Sequence, residues 1–444
     1  VIAFFRQVVV RNLVSPYGLA AFSYCIFLVA WLFPPTLYTS LINEPDLIFL
    51  NLPTLVFFTL CAVAFLIGVR SVHLLAYAGY RPPPDDVPPV AARAPILYLA
   101  APLLIASALC AVYLAKLGAH IDFVGLLASG QGQMVKAAMG GVTEGNWAAA
   151  LNLLSAVLWW AAFRGMQLRP RGFARIVLLL SFSIALVTDL VTCVATVDRT
   201  NLMPVVSGLF LIYLFFKVRD EQVSLPRLAL TGFGAALASI GAFLALAFLR
   251  GASAGRLLAA SLMGYTIVSY NRLAALVTGV MHYAYQGRAV YLLPLLVRND
   301  RINTLIPMRD WFGWPDLLVQ MESEFSAVLA AGLNGNYNWA GYFGYIYSDL
   351  GWWAPLYCLL VGVFCGLCWR RFCAGTSDGI VMYMWNAFGI LFWVGGNWLL
   401  GERIVRTGVA AFLLFLYDRY SLRSDEDSVS AAPLKTAPLR ERVL

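Results

Sequence analysis

Apolar runs of membrane-crossing length, separated by short polar or charged breaks, occupy most of the 444 residues. Ten can be marked: 18–38, 50–69, 95–116, 147–163, 176–195, 203–216, 228–249, one within 341–369, 380–399, and a short one at 404–417. A helix needs about 20 residues to cross the hydrocarbon layer, so the pattern predicts about ten spans. Pro34 and Pro35 are expected to end or kink the first span, since a proline removes one helical hydrogen bond and crowds the preceding turn. The break after the second span ends in RPPPDDVPPVAAR, too polar to cross and too proline-rich for a helix, and reads as a cytoplasmic linker. After 116 comes a polar, glycine-containing segment with His120, Asp122, Gln131, Gln133, Lys136 and Glu144, expected to be an outer loop.

From 250 to 338 the pattern changes. Connections of this length inside a compact domain are uncommon and usually functional. The apolar stretches 257–269, 273–281 and 290–297 are each too short to cross and are expected to be interfacial or re-entrant helices. The chain therefore divides into a membrane domain, 1–417, with 250–338 inserted as one large extracytoplasmic loop, and a polar cytoplasmic tail, 418–444, expected to be disordered.

Composition fixes the class. With 61% hydrophobic residues, 12% charged residues and a mean hydropathy of +0.76, the apolar surface exceeds what a water-soluble core could hide. The expected fold is all-α, a polytopic membrane protein. The first run lacks a cleavage signature after it and is read as a retained span. Most of the eight cysteines fall inside apolar runs, so no disulfide framework is indicated. Cys365 and Cys368 form one CxxC without a second pair, which favours packing over metal binding.

Charge sets the orientation. With both termini inside, Arg70, Arg81, Arg93, Arg164 to Arg175, Lys217, Arg219, Arg227, Arg370 and Arg371 share the cytoplasmic face, as the positive-inside rule requires. The same arrangement leaves Arg199, Arg250, Arg256, Arg272, Arg288, Arg298, Arg301, Arg309, Arg403 and Arg406 on the outer face, where the rule discourages cations. Asp300, Asp310, Asp316, Glu322, Glu324 and Glu402 are available to pair with about half of them. Arg199 and Arg250 each sit at a membrane boundary, and arginine's planar fork suits the phosphate oxygens of a lipid-borne anion. Asp189, inside the fifth run, is either a functional intramembrane acid or half of a structural ion pair; Asp198 is a second neighbour for Arg199.

The least lipid-like stretch is GNYNWAGYFGYIYSDLGWWA, 335–354. Asn334, Asn336 and Asn338 alternate with small and aromatic residues, and Tyr337, Trp339, Tyr342, Tyr345 and Tyr347 lead to Asp349 as an apolar run begins. Aromatic faces and amides together suit sugar rings. The plainer reading is an aromatic interfacial belt, which needs neither the alternating asparagines nor a carboxylate entering the bilayer.

Three segments carry a resemblance to the Wzy-type repeat-unit polymerases of O-antigen and capsule synthesis, across 176–369: the turn VDRTNL with Arg199; Arg250-Gly251; and NYNWAGYFGYIYSDLGWWAPL. The third is the most specific, and the first third of the chain is similar only in hydropathy. The resemblance implies a GT-C-like helical fold in the bacterial cytoplasmic membrane with its active site facing outward. It implies transfer of a growing oligosaccharide from undecaprenyl pyrophosphate to the non-reducing end of another lipid-linked repeat unit, alongside a flippase and a chain-length regulator. Neither a nucleotide sugar nor another cofactor is implied.

The residues agree with that chemistry on separate grounds. There is no phosphate-binding glycine loop, Walker motif or outer Asp-x-Asp pair, and nothing suggests nucleic acid. Arginines at a departing pyrophosphate would stabilise its growing charge, a contribution of about 3–4 kcal/mol for one well-placed donor. Arg199 and Arg250 are the first candidates, with Arg256, Arg272 and Arg309 as further substrate contacts. A base for the acceptor hydroxyl could be Glu322, Glu324, Asp310 or Asp349, or a histidine, His120 or His282; spacing does not choose among them. Two other classes stay open: an O-antigen ligase-type transferase, which differs in acceptor, and a polysaccharide or lipid transporter, which would show internal repeats and matched broken helices.

Overall fold

The computed structural model describes residues 12–77, 96–129, 131, 134–135, 138, 148–196, 199–219, 234, 241, 262–264, 266–298, 300–399, 401 and 403–430. Helices are numbered in chain order among these, and no strand occurs in them. The first apolar run is not one rod. Ser15 caps α1 (Pro16–Trp31), its Oγ accepting from the Gly18 amide at 3.4 Å, and α2 (Pro35–Ile42) departs at 88°. Pro34 and Pro35 stand at that break, where neither offers an amide to continue the ladder.

Next come α3 (Leu52–Tyr77), α4 (Ile96–Gly118), the short α5 (Phe123–Ala128), α6 (Ala148–Leu168), α7 (Phe173–Ala195) and α8 (Arg199–Arg219). Beyond them lie α9 (Ile267–Val277), the short helices α10 (Pro294–Arg298), α11 (Asp300–Leu305) and α12 (Met308–Phe312), and α13 (Leu317–Ala330). The chain ends with α14 (Gly341–Leu350), a single 3-10 turn, α15 (Ala354–Cys373), α16 (Ser377–Leu391) and α17 (Arg403–Ser430).

Six of these units are long and apolar enough to cross a membrane: α3, α4, α6, α7, α8, and α14 with α15; the bent α1–α2 pair would make a seventh. The chain is thus an all-helical, polytopic membrane protein among the described residues. Of the ten expected runs, 228–249 lies outside those residues apart from Gly234 and Gly241. The run 380–399 gives α16, of fifteen residues, twelve of them buried against α1, α6, α8, α15 and α17. A helix apolar on every side is a core element, and α16 is the bundle's central one. The run 404–417 lies inside a longer helix: α17 continues through Asp418 to Ser430, so the expected disordered tail begins as helix.

Two close packings hold the bundle. On α15, Gly362 and Gly366 form a GxxxG pair facing α3; a Cβ at Gly362 would come within 2.1 Å of the Phe65 carbonyl oxygen, and one at Gly68 within 2.0 Å of that of Leu359. Small residues let helix backbones approach this closely, where dispersion contacts replace a hydrophobic force that lipid does not supply. Cys365 and Cys368 are buried on the same helix.

At the far end of α6, Arg164 donates to Asp418 Oδ2 at 2.6 Å and to Ser377 Oγ at 3.1 Å, while Trp160 Nε1 donates to the same two groups and the Tyr98 hydroxyl bonds Asp418. Arg164 is therefore an interior ion-pair partner rather than a member of the surface basic cluster.

Candidate functional site: an aromatic cleft beside the asparagine-rich loop

The described part of the long insertion is not a loose outer loop. Within it, α9 runs inside the bundle against α1, α3 and α14, with ten of its eleven residues buried. Arg272 on α9 is fully buried and clasps Glu44 in two-pronged fashion, with Nη1 on Oε1 and Nη2 on Oε2 at 2.8 Å. The same guanidinium donates from Nε to the Tyr337 carbonyl at 3.0 Å and from Nη2 to the Asn334 carbonyl at 2.9 Å. Glu44 also accepts from the Asn334 amide at 2.7 Å, from Asn271 Nδ2 at 3.0 Å and from the Tyr38 hydroxyl. Burial raises the Glu44 carboxyl, but Arg272 and these donors outweigh it and hold the group below its ordinary value. The expectation that Arg272 contacts substrate is corrected: it fastens the asparagine-rich loop to the bundle.

Other site residues also turn out to be braces. Asp349 accepts from the Tyr291 and Leu292 amides at 2.7 and 3.0 Å and fastens the strap 281–293 to the end of α14, so it anchors backbone rather than facing an acceptor sugar. Arg309 ties α12 to its neighbours through the Val297 carbonyl at 2.7 Å and Asp316 at 3.1 Å. Tyr342 is 1% exposed, edge-on to Phe343, and belongs to the core instead of a sugar groove. Tyr347 is half-buried between Phe57 and Trp352. Asn336 is exposed, its amide donating to Asn334 Oδ1 at 3.1 Å in a local turn. Glu322 is exposed on α13; two residues along a helix, it cannot share a face with buried Glu324.

Of the remaining candidates, Trp339 and Tyr345 meet at one place. A cleft of ≈ 320 Å³ is walled by Trp339 from the asparagine-rich loop, Tyr345 from α14, Val290 and Tyr291 from the strap, Pro294 at the start of α10, and Gln320 from α13. Trp385 from α16, Gly396, Asn397, Trp398 and Gly401 from the turn after it, and Arg403 at the start of α17 complete the wall. Trp339 and Trp398 stand edge to face at 6.4 Å, and Tyr345 stacks on Tyr291 at 5.3 Å. Behind this wall, Glu324 accepts from Gln320 Nε2 at 2.9 Å and Asn338 Nδ2 at 3.4 Å. Burial first, and then the nearby Glu324 carboxylate, keep the Tyr291 hydroxyl far above its usual range and so neutral. The Asn338 carbonyl accepts from Tyr283, and the Tyr337 ring lies against Gly264.

Arg403 is the cleft's cation and also donates from Nη1 to Asn201 Oδ1 at 2.6 Å. Asn201 lies two residues into α8, in the VDRTNL segment, so that segment and the asparagine-rich loop converge on the cleft. A small recess that shares Arg403 and Trp385 with the cleft is lined also by Asn152, Ser155, Asn201 and Thr407. Arg250, Arg256 and Asp198 lie outside the described residues, as does the side chain of Arg199, whose backbone opens α8. Asp189 is fully buried in α7 and does not line the cleft; neither of its oxygens has a hydrogen-bond partner among the described residues.

Sequence reasoning missed Tyr291, Gln320, Asn397 and Trp398, and noted Arg403 only among the outer arginines. A signal existed for two of them: GGNW, 395–398, repeats the Asn-Trp pair of 338–339 and interrupts an apolar run with two glycines. Compared with protein-family models, curated proteins and solved structures, the chain matches none.

Proposed function

We propose that the protein is a membrane glycan polymerase, transferring an oligosaccharide from a polyprenyl pyrophosphate to a sugar hydroxyl of a second lipid-linked unit. One observation carries the reading: two of the three segments that resemble the repeat-unit polymerases, far apart in the chain, converge on one aromatic cleft through Trp339 and the Arg403–Asn201 bond. Indole and phenol faces with amides at their edges suit sugar rings. On this reading the cleft takes the acceptor sugar between Trp339, Trp398 and Tyr345. Arg403 holds negative charge at the departing pyrophosphate, where a fixed donor lowers the barrier most. Arg199 and Arg250 remain proposed partners in that role.

Glu324 is the proposed base. It is the one carboxylate among the expected candidates that hydrogen-bonds a cleft-lining side chain, through Gln320. From behind the wall it would take the acceptor proton through one bridging water as the glycosyl bond breaks, and a base so placed contributes about two to four powers of ten. The GT-C-like architecture, the outward-facing cleft and the inner-membrane location belong to the same proposal. The test is polymerisation of a purified lipid-linked repeat unit by the full chain. Arg403→Gln and Glu324→Gln should lose turnover while keeping the parent's thermal stability. Parent-rate polymerisation by both variants would refute the site, and absence of any polymer from the intact chain would refute the activity.

A further inference from the structure

A second cavity lies at the other end of α6 from the cleft. Asn152 and Ser155, near the start of that helix, face the recess beside Arg403, whereas Gly165 and Arg169, at its end, line a groove of ≈ 700 Å³ between α6, α7 and α8. The groove has two chemistries along its length. Arg169, Arg171 and Arg175 line it at the α6–α7 turn, and Phe182 and Leu209 give it an apolar wall. The turn is tightly specified, with Arg169 at φ 48° and Gly172 at φ 57° on either side of Pro170 and Arg171. Arg164, on the last turns of α6, does not join the turn's arginines, being turned into the bundle and paired with Asp418. Both α6 and α7 are of span length, which puts the arginine end at a membrane surface and the apolar wall in the hydrocarbon.

We propose that this groove binds an anionic phospholipid, its phosphate held by Arg171 and Arg175 and one acyl chain lying along Phe182 and Leu209. The guanidinium fork fits a phosphodiester, and basic pockets between membrane helices are suited to acidic headgroups. A free phosphate would satisfy the arginines and leave the apolar length unfilled, so the groove's shape selects a lipid. It lies at the opposite end of the bundle from the cleft and does not depend on the polymerase reading.

The test uses the full chain purified in detergent, with phosphatidylglycerol or phosphatidylcholine titrated in and bound lipid counted by native mass spectrometry. Phosphatidylglycerol should bind more tightly. In R171Q/R175Q its affinity should fall about thirtyfold, roughly fivefold per arginine removed, with unchanged helical content. Ala162 on α6 also lines the groove, so Ala162→Leu, which narrows it and leaves the arginines, should weaken binding too. Equal affinity for the two lipids, no loss in R171Q/R175Q, or full displacement by inorganic phosphate would each overturn the assignment. So would an unchanged affinity in Ala162→Leu, because the acyl chain would then lie elsewhere.

Discussion

Removing either partner of the Arg272–Glu44 pair should unfasten the asparagine-rich loop and weaken the whole bundle. Both side chains are inaccessible to solvent, so the survivor of Arg272→Met or of Glu44→Leu is left as a buried charge without its counter-ion. Such a loss costs about 3–5 kcal/mol, a large share of the roughly 5–15 kcal/mol that separates a folded domain from its unfolded chain. Arg272→Lys keeps the charge but cannot reproduce the guanidinium's simultaneous reach to both Glu44 oxygens and to the carbonyls of Asn334 and Tyr337. Each charge-assisted bond lost is worth about 1.5–3 kcal/mol. The double variant Glu44→Leu/Arg272→Met removes both charges together, and apolar replacement of a whole buried pair is often neutral. It should therefore be more stable than either single variant, apart from the loop carbonyls it leaves bare.

The assay is a double-mutant cycle on thermal unfolding in detergent, supplemented by a pH series. Glu44 is held below its ordinary value when folded, so its stabilising contribution is complete above the unfolded carboxylate pKa and is lost as pH falls through the folded one, below about 4.5. Asp46 beside it is pushed up by burial and contributes with the opposite sign, so the Glu44 effect is the difference between the parent and Glu44→Gln profiles. Additive single effects, or an Arg272→Met loss under about 1 kcal/mol, would show that the buried pair is not what fastens the loop.

The other predictions divide by place. On the proposed polymerase reading, Trp339→Ala and Trp398→Ala should keep stability and shorten the polymer, because both rings face the cleft, whereas core Tyr342→Ala should lose about 3–5 kcal/mol of stability, as large aromatic truncations do; ladder length and thermal unfolding, measured on the same variants, separate the two. Leu305→Cys, at a position 83% exposed, should react with an impermeant thiol reagent from outside the cell, and labelling only after membrane disruption would invert the proposed topology. Asp418→Asn should destabilise the arginine-rich end of the bundle by leaving Arg164 buried and uncompensated, and a thermal midpoint equal to the parent's would contradict the network there.

Hydropathy made the membrane class and most helix positions legible, because an apolar run of span length has few other uses. It said less about which runs face lipid. α16 and α7 look alike in one dimension, yet α16 is enclosed on all sides, while α7 exposes Ile176, Leu180 and Val187. The arginines show the same limit more sharply. Arg272 reads from the sequence as one of the further substrate contacts; its acid, Glu44, is 228 residues away in sequence. Arg164 likewise read as one of a basic cluster, and its acid is 254 residues away in what looked like a tail. Charge balance in a bundle is settled between helices, not along them, so counting local acids overstates the number of ligand-seeking cations. The cleft's aromatics and amides lie closer together along the chain: Trp339, beside Asn338 in sequence, lines one wall, and Asn397 and Trp398 line the wall across from it. What no local pattern contains is the pairing of those two loops, which α14 and α16 bring about through the Tyr342 amide on the Trp393 carbonyl at 2.8 Å. That bond sits where Gly341, at φ 69°, turns the chain into α14, and a side chain there would both strain the turn and press on Trp393. Gly341→Ala should therefore disturb the cleft from outside it and, on the proposed polymerase reading, lower polymer length at an unchanged set of lining residues.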